Sequence, residues 1–319
     1  MAKFNVVVTD DRFKTYAEEA AVLEPIGAEL VITNCKTPDE VAAACRGADG
    51  VLCNLAPMPA TVIQRLEKCR IIARYGVGYD NVDVAACTRK GIRVANVPDY
   101  CAEDVSDHAL ALLLGCIRKI ARRDAQVRAG RWDIGRADPM HRPAGRTFAF
   151  LGYGRIGRCL HRKLRGLNFA RVLVFDPFLD EATIRAEGAE KVDWDTALRG
   201  ADYISIHMPL NEKTRGCLNR AAFAKMKQGA IIVNTARGPV IDEPALVEAL
   251  QSGQVNSAGL DVHSKEPLDK DSPLLELENC ILTDHVGWYS EESMAELKRK
   301  AAENVRAVLL GGAPAYPVN

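Results

Sequence analysis

Short apolar, β-branched runs alternate with amphipathic stretches from the amino terminus onward. Runs at residues 5–9, 29–33, 50–54, 70–74 and 93–96 have strand character, and segments with helical spacing lie between them at 16–23, 38–45, 60–66 and 82–90. Parallel strands need crossover connections, so this alternation predicts a doubly wound parallel sheet over the first hundred residues. A long helix is predicted next, over 103–129, with Val105, Ala109, Leu112, Leu113, Cys116 and Ile120 along one broad face. Residues 131–146 are rich in Gly, Pro and Arg without a period and predict an irregular connection. A second strand series follows at 148–151, 171–175, 203–207, 230–234, 257–261 and 280–283, enough for a second complete sheet. A last helix over 291–310 is ended by Gly311 and Gly312. The fold class is α/β, with two doubly wound parallel-sheet domains.

Length agrees, because 319 residues exceed what one hydrophobic core usually serves and suit two. The 42 basic residues balance 42 acidic ones, which gives no electrostatic reason to expect nucleic acid or an anionic membrane as a partner. No apolar run is long enough to span a bilayer. Residues 1–10 lack the basic region and apolar core of a signal peptide, so a cytoplasmic location is expected. The ten cysteines are scattered, with no CxxC pair and no histidine at metal spacing. They read as small buried hydrophobes in a reducing compartment, and no metal is expected.

Candidate chemistry enters with Gly152, Gly154 and Gly157, the glycines of G-Y-G-R-I-G, set directly after the strand at 148–151 and opening a helix over 155–167. The first glycine permits a tight turn, the second lets a pyrophosphate approach the backbone, and the third lets helix pack on strand. Free N–H groups at the helix start hold the anion. Asp176, after the next strand, stands where an acid accepts hydrogen bonds from ribose hydroxyls, which favours NAD over NADP. A glycine-rich turn without a ligand is the plain alternative, and flavin and methyl-donor enzymes use similar loops.

Three polar residues fall where strands of the second sheet end: Arg237 in N-T-A-R-G, Glu266, and His285. Ligands of open α/β sheets bind outside the carboxyl ends of the strands. A substrate carboxylate needs a fixed cation, and a guanidinium holds it bidentately. Carbonyl reduction also needs a proton donor, for which imidazolium is suited, and a carboxylate on the far ring nitrogen would fix its tautomer. Singly, each has a bland reading: a solvated loop charge, a turn residue before Pro267, a satisfied core histidine.

Together with A-R-Y-G-V-G-Y-D-N-V-D at 73–83, L-G-Y-G-R-I-G at 151–157, H-M-P-L at 207–210, V-N-T-A-R-G at 233–238, G-L-D-V at 259–262, Glu266-Pro267 and T-D-H at 283–285, the chain resembles the D-isomer-specific 2-hydroxyacid dehydrogenases end to end. The branch most similar is that of the C-terminal-binding-protein corepressors, through V-P-D-Y-C at 97–101 and W-Y-S-E-E-S after His285. The resemblance implies a Rossmann NAD domain at 101–288 and a discontinuous, flavodoxin-like substrate domain at 1–100 and 289–319, with a cleft between them. It implies an NAD-dependent oxidoreductase that interconverts a small 2-oxo acid and a D-2-hydroxy acid, and a homodimer formed through the NAD domain.

Carried over residue by residue, Arg237, Glu266 and His285 are catalytic. Cofactor contacts fall to Gly152, Tyr153, Gly154, Arg155, Ile156, Gly157, Asp176, His207, Pro209, Thr214, Thr235, Ala236, Arg237, Asp261, His285 and Gly287. Substrate contacts fall to Tyr75, Gly76, Val77, Gly78, Arg237 and His285, with Tyr79, Tyr100 and Trp288 as pocket walls or packing residues. One departure is Asp284, where the family usually has proline; it either adds a carboxylate beside the histidine or points to solvent. The alternative function is an NAD(H)-sensing, corepressor-like interaction protein with vestigial turnover. The intact Arg, Glu and His set and the absence of a charged recruitment tail weigh against it.

Overall fold

The computed structural model describes residues 3–132 and 139–319. The chain divides into two compact units, Met1–Cys101 with Ser290–Asn319, and Ala102–Tyr289. Part of the irregular connection expected at 131–146 falls on residues 133–138, which lie outside the described residues.

The first unit holds a parallel sheet of β1 (Phe4–Val8), β2 (Ala28–Ile32), β3 (Gly50–Cys53), β4 (Ile71–Arg74) and β5 (Arg93–Ala95) in the order β2-β1-β3-β4-β5. That order is the flavodoxin-like one. The central strands β3 and β4 are buried at every residue, as expected when helices cover both faces of a parallel sheet. One face packs under helix Pro38–Cys45, which starts with a capping box between Thr37 and Glu40 and a proline in its first turn. Helix Glu291–Leu309 lies against β3, β4 and helix Ala17–Leu23. It comes so close that a Cβ on Gly50 would stand 2.9 Å from Val305.

The cysteine-rich core of this unit behaves as its sequence suggested. Cys35, Cys45, Cys53, Cys69 and Cys87 are free thiols within one apolar cluster. Burial pushes the Cys53 and Cys69 thiols up to about 12, so they stay protonated and act as small hydrophobes.

The second unit is built on a parallel sheet of β6 (Thr147–Leu151), β7 (Arg171–Phe175), β8 (Glu190–Lys191), β9 (Tyr203–Ile206), β10 (Ala230–Asn234), β11 (Val255–Leu260) and β12 (Cys280–Leu282), ordered β12-β11-β10-β9-β6-β7-β8. Successive side chains enter opposite cores: Ala149 and Leu151 join one, Phe148 and Phe150 the other. The chain runs outward from β6 through β7 to β8, then restarts on the other side with β9. The crevice between β6 and β9 is therefore the switch point, where α/β sheets bind ligands.

The single helix expected over 103–129 is two, Ala102–Arg118 and Ile120–Arg128. Lys119 between them has φ of +54°, a left-handed conformation that ends the first helix. The helix expected over 155–167 is α-helical to Leu164 and closes with a tighter turn, Arg165–Leu167, before left-handed Asn168. No helix among the described residues is long and apolar enough to cross a membrane.

Candidate active site

The fingerprint loop begins where β6 ends. Gly152 has φ of +88°, and a Cβ there would stand 2.8 Å from the His207 carbonyl, so only glycine lets the ends of β6 and β9 approach. Gly157 allows the same closeness one turn later, its Cβ position lying 3.3 Å from the Gly152 carbonyl. Gly154 caps helix Arg155–Leu164, and nothing lies within 4 Å of its Cβ position, which leaves room at the helix start for an anion. Arg155 is exposed and Ile156 half-buried on the first helical turn. Tyr153 contributes backbone rather than ring: its side chain is buried, with the hydroxyl 2.5 Å from His161 Nδ1.

Asp176 accepts hydrogen bonds from the Tyr153 N–H at 2.8 Å and from the Phe178 N–H at 2.9 Å, one on each oxygen. Each oxygen keeps a lone pair for a ribose hydroxyl. His207 lies 2.8 Å from Ser205 Oγ through Nε2, and desolvation pushes its imidazole down to about 4, so it is a neutral packing group. Thr214 directs its hydroxyl to the Pro209 carbonyl at 2.6 Å and accepts from the Asn211 N–H, so its polar capacity serves its own turn.

Beyond β10 the fully buried Asn234 binds the loop that follows it. Its Oδ1 accepts from the Ala236 N–H and its Nδ2 donates to the Arg237 carbonyl, both at 3.0 Å. Thr235 Oγ1 is shut off from solvent and has no hydrogen-bond partner among the described residues. Arg237 is half-buried, with Nη1 donating to the Ala236 carbonyl at 2.8 Å. Gly238 meets the next loop so closely that a Cβ would fall 1.9 Å from the His263 carbonyl.

Loops after β11 and β12 complete the edge. His285 Nδ1 and Glu266 Oε2 are 2.7 Å apart, and Glu266 Oε1 accepts from the His263 N–H at 3.0 Å. Burial alone would raise the Glu266 carboxyl, but the contacts with His285 and His263 outweigh it and hold it below its usual range. An ionised Glu266 accepts only, so His285 donates from Nδ1 and presents Nε2 for proton exchange. Asp284 is exposed.

Asp261 is nearly fully buried and organises this turn. Its Oδ1 accepts from the Thr283 hydroxyl at 2.6 Å and the Val286 N–H at 3.0 Å, its Oδ2 from the Gly287 N–H at 3.0 Å, and its carbonyl from the His285 N–H at 2.8 Å. Burial would raise its carboxyl, yet the bonds from His108, Thr283 and Gly287 hold it at about 2. A folded value below the ordinary 3.8 stabilises the fold above about pH 4, and that stabilisation is lost as pH falls through about 2. The expected size is about 2 kcal/mol. Denaturant unfolding of wild type and Asp261→Asn checks it: the gap between them narrows by about that much from neutral pH to about pH 2, and a constant gap contradicts it.

In the first unit, the Tyr75 ring is buried and its hydroxyl donates to Glu19 at 2.8 Å, so this side chain packs within its own unit. The backbone after it is different. The Gly76 and Val77 carbonyls are tied to the Val97 N–H and the Asn96 amide, while the N–H groups of Gly76, Val77 and Gly78 have no acceptor among the described residues. Tyr79 is exposed and Tyr100 buried.

Sequence reasoning missed His108, which lies 2.9 Å from Thr283 Oγ1. Its signal was a histidine three residues after Val105, on the face that periodicity marks as apolar. A cavity of about 350 Å³ in the second unit, lined by Arg122, Asn256, Glu278 and Asn279, opens at the amino ends of β11 and β12, and none of the candidate catalytic, cofactor or substrate residues lines it.

Residues 110–287 match the family model of the D-isomer specific 2-hydroxyacid dehydrogenase NAD-binding domain. A glyoxylate reductase of Korarchaeum cryptofilum is 38% identical over 266 residues, 82% of this chain and 80% of that protein. A hydroxypyruvate reductase of Blautia hydrogenotrophica is 37% identical over 93% of this chain and 92% of its own length. The chain spans about half the length of the D-3-phosphoglycerate dehydrogenases it also matches. Among solved structures, a glyoxylate reductase from Paecilomyes thermophila superposes with a TM-score of 0.90 at 29% identity, covering 100% of this chain and 99% of that one. Sequence, fold and the dinucleotide loop thus agree, and the chain belongs to the D-isomer-specific 2-hydroxyacid dehydrogenase family, NAD-dependent oxidoreductases that interconvert 2-oxo and 2-hydroxy acids.

Proposed function

We propose that this protein reduces a small 2-oxo acid to the D-2-hydroxy acid with NADH, with His285 as proton donor and Arg237 as the hold on the substrate carboxylate. One observation carries the reading: a carboxylate-bound histidine, Glu266 Oε2 to His285 Nδ1 at 2.7 Å, on the carboxyl edge of the NAD-binding sheet. The fingerprint loop, Asp176 and Thr235 would hold the cofactor, which supplies the hydride when bound.

As the carbonyl carbon gains that hydride, its oxygen takes a proton from His285 Nε2 and becomes the hydroxyl. Glu266 keeps Nδ1 protonated and the ring aimed. The Arg237 guanidinium pairs with the carboxylate and polarises the adjoining carbonyl. Oxidation of the hydroxy acid is the reverse, with His285 as base.

A small substrate is supported by the glyoxylate and hydroxypyruvate reductases among the relatives. A homodimer through the NAD unit and a cytoplasmic location complete the proposal. Helix Ile120–Arg128 supports the dimer, since it buries no residue and exposes Ile120 and Val127.

NADH oxidation against glyoxylate, hydroxypyruvate, phenylpyruvate and branched 2-oxo acids, with NADPH in parallel and the product's configuration determined, tests the reading. Turnover of at least one acid with NADH preferred and a D product is expected. NADH binding without turnover of any acid would favour the sensing alternative.

A further inference from the structure

We propose that His108 is a positioning residue for the reaction, fixing the turn that carries His285. This rests on the reading of His285 as proton donor. His285 has φ of +60°, a left-handed conformation that costs a non-glycine residue about 1–2 kcal/mol and persists only when neighbours impose it. The neighbour that imposes it is Asp261, which accepts from the hydroxyl or backbone N–H of residues 283, 285, 286 and 287.

His108 holds that assembly from helix Ala102–Arg118. Its Nε2 is 2.9 Å from Thr283 Oγ1 and 3.3 Å from Asp261 Oδ1. The Thr283 proton is directed to Asp261, so the Thr283 oxygen accepts and His108 Nε2 is the donor. The His108 ring also lies on the turn itself: a Cβ on Gly287 would stand 3.1 Å from His108 Cδ2 and 2.8 Å from Asp261 Oδ2. Its helix is anchored by the buried Val105, Ala109, Leu112 and Leu113. Donation therefore runs from a rigid helix through Thr283 to the carboxylate that shapes the turn. Glu266 aims the His285 ring, while His108 and Asp261 fix its backbone.

The test compares His108→Leu, which fills the space without a donor, with His108→Gln, whose amide Nε2 can still donate to Thr283. In His108→Leu, kcat for the best 2-oxo acid is expected to fall by about tenfold to a hundredfold, because small misplacements of catalytic groups have effects of that order. Its KM should move less than about threefold, and His108→Gln should recover most of kcat. Equal losses in both variants, or none in either, would overturn the proposal.

Crystal structures of the variants give a readout independent of turnover. The 283–287 turn relaxes and the Glu266–His285 bond opens in His108→Leu, and both persist in His108→Gln. An unchanged turn in His108→Leu also overturns the proposal, whereas a wild type that reduces no 2-oxo acid fails the functional reading alone.

Discussion

His285→Gln lowers kcat for 2-oxo acid reduction by about 10²- to 10⁴-fold, the usual range for a lost general acid. A glutamine amide can still bond to Glu266 but carries no proton it can release at ordinary pH. On the proposed reading the cofactor is held mainly by the loop after β6 and by Asp176, with His285 only at its edge, so NADH titration should be unchanged within a few-fold. Thermal unfolding should barely move, since the His285 ring is 31% exposed and contributes little to the core. Steady-state kinetics beside fluorescence titration separate these effects. A variant that binds NADH and keeps full kcat would remove His285 as donor.

Gly238→Ala loses activity for a different reason. The added Cβ would sit 1.9 Å from the carbonyl group of His263, and both sides of that contact are backbone, so no rotamer change relieves it. The ends of β10 and β11 must separate, which pulls the Arg237 loop from the loop that holds Glu266. We expect a loss of about 3 kcal/mol or more in unfolding free energy and kcat/KM below about a hundredth of wild type. Gly166→Ala is the control, because nothing lies within 4 Å of its Cβ position, and it should change stability by less than about 0.5 kcal/mol. Near-equal stability of the two variants would contradict the close approach.

The parts legible from sequence are those governed by local pattern. β6 and β10 read as strands because every residue between helix-covered faces is buried, and Gly152, Gly154 and Gly157 could be assigned because their spacing between strand and helix is a local pattern, although the His207 backbone that Gly152 meets lies far along the chain. Arg237, Glu266 and His285 could be placed because parallel strands deliver their carboxyl ends to one edge. The break at Lys119 was hidden, since apolar spacing continues to Ile120 across it. β8 was hidden too: a two-residue, exposed edge strand carries no apolar signal.

Tyr75 was read as a ligand residue from its motif, but its hydroxyl is claimed by Glu19, 56 positions earlier. The bonds among His108, Thr283 and Asp261 join a helix to two strand ends across 175 residues, and no periodicity encodes a contact of that kind.

The packing of helix Glu291–Leu309 on β3 and β4 sets an order of assembly on the ribosome. The second unit has all its strands once Tyr289 has been synthesised, while the first still lacks the helix that covers one face of its sheet. Val6, Leu52, Ile71 and Ala73 belong to the buried core, yet part of their cover arrives only with helix Glu291–Leu309. The unit begun first is finished last, and until then its bare sheet is a surface for chaperones or aggregation to find.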